Sequence, residues 1–350
     1  MTSLTRLGVA LLAVGLLVLL LPADVHAWTP GTHIYLGETV LANLRLLPPV
    51  VADLLHAYPW DYLYGSIAAD TSIAKKYVPP GRHSHFWHVG QETHDRAATD
   101  RLRAFGLGYL SHLAADTVAH NYFVPRQLLL TSHTRSMGHS YWESRIEAYL
   151  TASYARKAKQ LITLDQSAAD QHLEQIISPT LFSVRTNRRI FRSLVHLADT
   201  KGWQETMRLA RERSRWMLTD IEVERHLAVA YDYVMEMLRA DTSRARLLDP
   251  TGHRPLAQAK YLRRRELVKG AWADRERMLE AATGHFGLPE HPLEYWLDSA
   301  LERPWLMPHQ ASPITTSLPP APPPSAPAHA GLILPPDLDE SGEPTETPAA

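Results

Sequence analysis

The chain has 350 residues, 45% hydrophobic and 21% charged, the balance of an ordinary soluble globular protein with room for one large domain or two smaller ones. With 36 Lys and Arg against 37 Asp and Glu the net charge is -1, which excludes a global field that recruits nucleic acid or acidic membranes. The absence of cysteine excludes a disulfide framework and a lipid-attached N-terminal cysteine. Any phosphate site must therefore draw its positive charge locally, and bound metal ions are one source.

In chain order, residues 1–27 read as a secretory signal. Arg6 supplies the positive start, Leu7 to Leu21 the apolar stretch, and Val25-His26-Ala27 the residues before a cut. An uncleaved anchor is the alternative, although the apolar run is short against the roughly 20 residues of a membrane span. Cleavage after Ala27 makes Trp28 the mature N-terminus, with a free α-amine that can chelate a metal together with its own carbonyl oxygen. From Trp28 to about residue 305 the pattern is helical, and the expected fold is an all-α multi-helix bundle. Helical spacing of apolar residues covers Leu36–Leu47 and Pro49–Ala57, with Pro48-Pro49 as the break between them. Gly65 to Gln91, with Pro79-Pro80-Gly81 and three histidines, reads as a loop laid over the bundle. Helical stretches follow at Asp100–Ala119, Met137–Ala158, Ser167–Ile177, Leu181–Asp199, Gln204–Leu238 and Gln258–Thr283. From Leu306 onward twelve of 45 residues are proline and the end is acidic, so 306–350 is expected to be a disordered tail outside the domain 28–305.

One run carries most of the chemical information. His112, Asp116 and His120 are spaced four apart, so on a helix they form one stripe; His139 and Glu143 form a second. Imidazole nitrogen and carboxylate oxygen are zinc's ligands where thiolate is absent. A polar helix face beside solvent is the plain alternative for the first stripe, but Leu110, Leu113, Ala114, Ala115, Val118 and Ala119 surround it. An unpaired Asp in such a setting is expensive. For His139 and Glu143 the alternative is an exposed pair worth a few tenths of a kcal/mol, ~0.3. Asp70 alone could be a loop acid or a helix cap. His83, His85 and His88 compete for one role in the loop.

Trp28 with Thr32-His33, Gly65 to Asp70, Ser84-His85-Phe86-Trp87, His112-x3-Asp116-x3-His120 and His139-x3-Glu143 occur in that order. Together they resemble the zinc-dependent phospholipase C family, which shares its fold with the single-strand-specific zinc nucleases. The resemblance covers about residues 28–150 and implies an α-helical bundle with up to three Zn2+ ions in a surface cleft. It implies that Asp70, His85, His112 and Asp116 hold one zinc. Asp116 would bridge to a second, held also by His33 and the amine and carbonyl of Trp28, and His120, His139 and Glu143 would hold the third. Two departures stand out. In the family the third ligand follows the bridging Asp by six residues with a proline between, whereas here His120 follows by four and the proline is Pro125. The usual proline before the first Asp is Ala69.

The resemblance implies a secreted or periplasmic zinc-dependent phosphodiester hydrolase, foremost a phospholipase C acting on phospholipid headgroups, with peripheral membrane contact. Asp70 is then the candidate catalytic base that orients or deprotonates the attacking water. A zinc-dependent single-strand nuclease, less favoured for lack of a basic groove signal, and a non-catalytic zinc-binding protein are the alternatives. Trp60, Trp87 and Trp142 could line a lipid or base pocket or belong to the core, and Arg188-Arg189 and Arg263-Arg264-Arg265 read as solvated helix faces.

Overall fold

The computed structural model describes residues 28–73, 75–79, 81–131, 136–214, 216–239, 243–268, 275–296 and 303–305. Residues 1–27, expected to be a secretory signal, His133 and the proline-rich stretch from 306 lie outside them. The described residues form helices and connecting turns without a strand, as an all-α reading requires. No helix among them is long and apolar enough to cross a membrane.

The organising element is α5 (Asp100–Val118). Thr99 starts it by accepting a hydrogen bond from the Leu102 amide, 3.3 Å, as a side-chain N-cap. From Ala104 to Val118 all but one of its residues are buried, so it has no solvated face. It packs against α3 (Pro59–Ala68), α4 (Trp87–Asp95) and α12 (Asp220–Arg239), and α1 (Pro30–Ala42) closes over α3. Beyond Val118 the chain runs through a π-helical turn, Ala119–Phe123, directly into α6 (Val124–Leu130). Pro125 stands at the second position of α6, directly after the π turn.

The remaining elements in chain order are α2 (Pro49–Ala57), α7 (Ser136–Glu147), α8 (Ala152–Thr163), α9 (Ser167–Glu174), α10 (Val184–Ala198), α11 (Lys201–Arg213), α13 (His253–Val268) and α14 (Arg275–Phe286). Helices α13 and α14 pack on α6, and α8 packs on α1.

Three expectations need correction. Gly65 is not in a loop but inside α3, where it meets Gly108 of α5. A Cβ on Gly65 would stand 2.0 Å from the Phe105 carbonyl oxygen, and one on Gly108 would stand 2.0 Å from that of Tyr62. Gly65 is therefore a closeness requirement between two backbones rather than a chain break. The single helices expected over Met137–Ala158 and Gln204–Leu238 are each two. In the first, Thr151 is extended (φ -78°, ψ 154°) and turns the chain so that α8 lies on α1. In the second, Thr219 and Glu222 form a reciprocal cap: the Thr219 hydroxyl accepts from the Glu222 amide (3.2 Å) and the Glu222 carboxylate accepts from the Thr219 amide (3.1 Å). That T-x-x-E signal starts α12 and was legible in the chain.

The Gly65–Gly108 contact generates a stability test. Gly65→Ala and Gly108→Ala should each destabilise by about 1–3 kcal/mol or more, because backbone must move to admit a methyl group. Gly284→Ala, in α14 with nothing within 4 Å of its added Cβ, should be neutral or stabilise by up to ~1 kcal/mol. Urea unfolding midpoints of the three variants check both directions.

Candidate metal centre

Six segments deliver polar side chains to one buried region of the bundle. His33 comes from α1, Asp70 from the 3-10 turn Ala69–Thr71 that ends α3, and His85 from the loop before α4. His112 and Asp116 lie on α5, His120 on the π turn, and His139 and Glu143 on α7. All eight are buried, Asp70 and Asp116 completely and His139 least, at 9% exposure.

They gather into three groups whose donor atoms lie within 4.8 Å of one another: Asp70, His85 and His112; His33, His112 and Asp116; and His120, His139 and Glu143. Asp116 faces both of the first two groups. Its Oδ1 is 3.3 Å from His33 Nε2, while its Oδ2 is 2.9 Å from His85 Nε2 and 3.1 Å from His112 Nε2. The His112 and His85 Nε2 atoms are themselves 3.1 Å apart, and His85 Nε2 is 3.4 Å from Asp70 Oδ1. In the third group His139 Nε2 and His120 Nε2 are 2.5 and 3.9 Å from Glu143 Oε1. Stacked rings of His33 and His112, 3.9 Å apart, and edge-on contact of His120 with His139, 5.2 Å, pack the imidazoles tightly.

Proximity here is not hydrogen bonding. Both oxygens of Asp116, both of Glu143 and His33 Nε2 are buried without a well-directed hydrogen bond. Donor atoms that crowd together without aiming at one another are aimed at a common point. A tetrahedral zinc with bonds of about 2.0–2.1 Å sets its donors about 3.3 Å apart, and the spacings above surround that value. The donor set, all imidazole and carboxylate, thus fits zinc both in chemistry and in placement.

Electrostatics agree. Burial disfavours the charged form of Asp116, yet the charge of His112, with His33 and His85 close by, holds its carboxyl well below the usual range. Burial, then the like charges of Asp70 and Asp116, push the Glu143 carboxyl well above it. A dication would relieve that repulsion. Burial lowers His33, His85 and His120, which favours the neutral imidazole that metals bind. His112 is the exception: burial lowers it, but the Asp116 and Asp70 charges prevail and raise it.

Backbone carbonyls fix two of the rings. His112 Nδ1 donates to the Ser66 carbonyl (2.9 Å) and His120 Nδ1 to the Pro250 carbonyl (2.5 Å), which leaves each Nε2 for the centre. The second contact comes from the segment Leu248 to Gly252, far along the chain. Trp87 Nε1 donates to the Leu248 carbonyl (2.9 Å) and the Asn121 amide to the Asp249 carbonyl (2.9 Å), so this segment is tied down on His120 from three sides. Gly252, at φ +59°, lies so close that an added Cβ would stand 2.4 Å from His120 Cβ. Nothing in the ligand motif announces this support; the Pro-Thr-Gly turn was its one visible trace.

Trp28 is completely buried in the core just before α1, five residues from His33. Of the competing histidines, only His85 reaches the centre. His88 bonds the Gly81 carbonyl at the surface (2.6 Å), and His83 accepts from the His85 amide (3.1 Å). Trp142 is core, and Trp60 and Trp87 are half-buried. Sequence reasoning missed Lys75, a buried cation whose Nζ lies 3.0 Å from Asp70 Oδ1. Its place between Asp70 and His85 was the only signal.

A family model described as zinc dependent phospholipase C matches residues 32–183. The match covers the motifs, from Thr32 onward, on which the sequence resembles the zinc-dependent phospholipase C family. No match was found among curated proteins or among solved structures. The matched span contains all eight side chains of the centre, while the Leu248–Gly252 segment that braces His120 lies outside it.

That external brace predicts a selective defect. Gly252→Ala should displace His120 and lower the bound zinc per chain, leaving the groups around Asp116 loaded. Gly81→Ala, also at positive φ (+76°) but with nothing within 4 Å, should cost about 1 kcal/mol of stability and no zinc. Elemental analysis beside thermal unfolding separates the two.

Proposed function

We propose that this protein is an exported zinc-dependent phosphodiester hydrolase, acting as a phospholipase C on phospholipid headgroups. The observation that carries the reading is the Asp116 carboxylate, completely buried, with one oxygen toward His33 and the other toward His85 and His112. That is the placement a carboxylate takes when it serves two neighbouring cations. Asp70, His85 and His112 would hold one zinc with Asp116, and His33 a second with Asp116 and the amine and carbonyl of Trp28. His120, His139 and Glu143 would hold the third. The Trp28 ligand requires export and cleavage after Ala27, and domain limits at 28 and 305 belong to the same reading.

Zinc bound there supplies Lewis-acid charge for the phosphate and lowers the pKa of a coordinated water. The chain's own residues do the rest. Asp70, at the edge of the first group, accepts the proton of the attacking water. The Ser66 and Pro250 carbonyls hold His112 and His120 in one tautomer, so neither ring must turn as charge develops. Complete burial of Asp70 and Asp116 keeps bulk water from screening that charge.

Burial also favours a specific competitor, a non-catalytic zinc protein, because closed sites are the structural kind and even the most open donor here, His139, is 9% exposed. Exported protein with Trp28 verified as its N-terminus decides the matter. We expect about three zinc ions per chain and hydrolysis of phosphatidylcholine vesicles or a soluble phosphocholine ester. Asp116→Asn should lose more than one zinc and lower that activity by on the order of 10³-fold or more. Activity on single-stranded DNA alone would make the protein a nuclease, and full zinc without either activity would leave the structural role.

A further inference from the structure

Lys75 occupies an unusual position. It opens a short 3-10 turn, Lys75–Tyr77, between the two segments that supply Asp70 and His85, and is 4% exposed. Its Nζ is 3.0 Å from Asp70 Oδ1 and 3.2 Å from each ring nitrogen of His85. Equal distance to both nitrogens means that the ammonium does not lie along either lone pair. It sits by the ring as a charge, while His85 Nε2 stays directed at Asp116 and His112. The ammonium therefore sits on the same Asp70 oxygen that faces the two imidazoles of this group, 3.4 Å from His85 Nε2 and 4.0 Å from His112 Nε2. A monocation and a dication cannot share one carboxylate oxygen at such range in a buried site without strong repulsion. Tyr77, two residues on in the same turn, is 52% exposed, so the turn that carries Lys75 reaches the surface.

We propose that Lys75 is an internal counter-ion that competes with zinc for the Asp70–His85–His112 group, making this group the last to fill. The inference rests on the zinc reading above. Without metal the ammonium neutralises Asp70, which would otherwise be a buried carboxylate beside Asp116. When zinc binds, the side chain leaves Asp70 and turns toward solvent. Full loading then requires zinc above the level that fills the other two groups, so the charge on the residue proposed as base is set by zinc supply.

The test is zinc titration of chelator-treated full-length exported protein against a competing indicator, for wild type and Lys75→Met. The variant should bind its last zinc about tenfold tighter or more, at unchanged final stoichiometry, because the charge competition is gone. Reductive methylation of wild type, with the modified lysine located by peptide fragmentation, gives a second readout should the variant fail to fold. Lys75 should be shielded without zinc and should react once zinc saturates, while Lys260 reacts equally in both. Equal or weaker zinc affinity in Lys75→Met, or shielding of Lys75 unchanged by zinc, would overturn the proposal and leave the zinc reading standing. Zinc binding by neither protein would overturn both.

Discussion

A carboxylate buried in the last turn of a helix with no solvated face there must be met by positive charge, and Asp116 is that carboxylate. Burial would neutralise an isolated Asp at such a place. Around it α5 supplies His112 one turn earlier, α1 supplies His33, and the loop before α4 supplies His85. His112, raised by the charges beside it, meets Asp116, Lys75 meets Asp70, and burial with the Asp70 and Asp116 charges pushes the Glu143 carboxyl well above the usual range. The packing of the bundle makes sense once cations enter that account. The all-round burial of α5 that keeps water out is also what makes the centre want metal.

Much of this was readable beforehand, and the reason is local. His112, Asp116, His139 and Glu143 fall on helices, where spacing of four fixes a common face, so residue numbers translate directly into geometry. The all-α class followed from periodicity for the same reason. What failed to read through was tertiary. Gly65 looked like punctuation because a glycine's closeness to another backbone depends on Gly108, 43 positions away (108 − 65). Lys75 drew no reading because nothing local says that a lysine turns inward. The breaks at Thr151 and Thr219 divided, respectively, the first and second of two over-long helices, and of these only Thr219 carried a capping pattern that a closer reading would have used.

The Leu248–Gly252 brace lay beyond any local rule. Its bond to His120 joins residues 130 apart, and its tight fit needs the positive φ of Gly252. Because it lies outside the matched span, the matched segment of this chain does not build its third group alone. The C-terminal helices are therefore part of the centre's architecture, and α13 and α14 also close on α6, which continues from the helix bearing His120.

The shortened spacing from Asp116 to His120 finds its physical account in the π turn. A regular helix would hold His120 on the Asp116 stripe, aimed at the same groups. Here the turn Ala119–Phe123 widens the helix, and the Val124 amide bonds the Ala119 carbonyl five residues back. The Asn121 amide donates to the Thr117 carbonyl (2.8 Å) and to that of Asp249 (2.9 Å), so one side chain satisfies the loosened helix and ties it to the brace. His120 lies in that turn and groups with His139 and Glu143 of α7. Against the spacing of six and intervening proline that the resemblance implies, this chain has a spacing of four, one wide turn and its proline at Pro125, and His120 still meets His139 and Glu143.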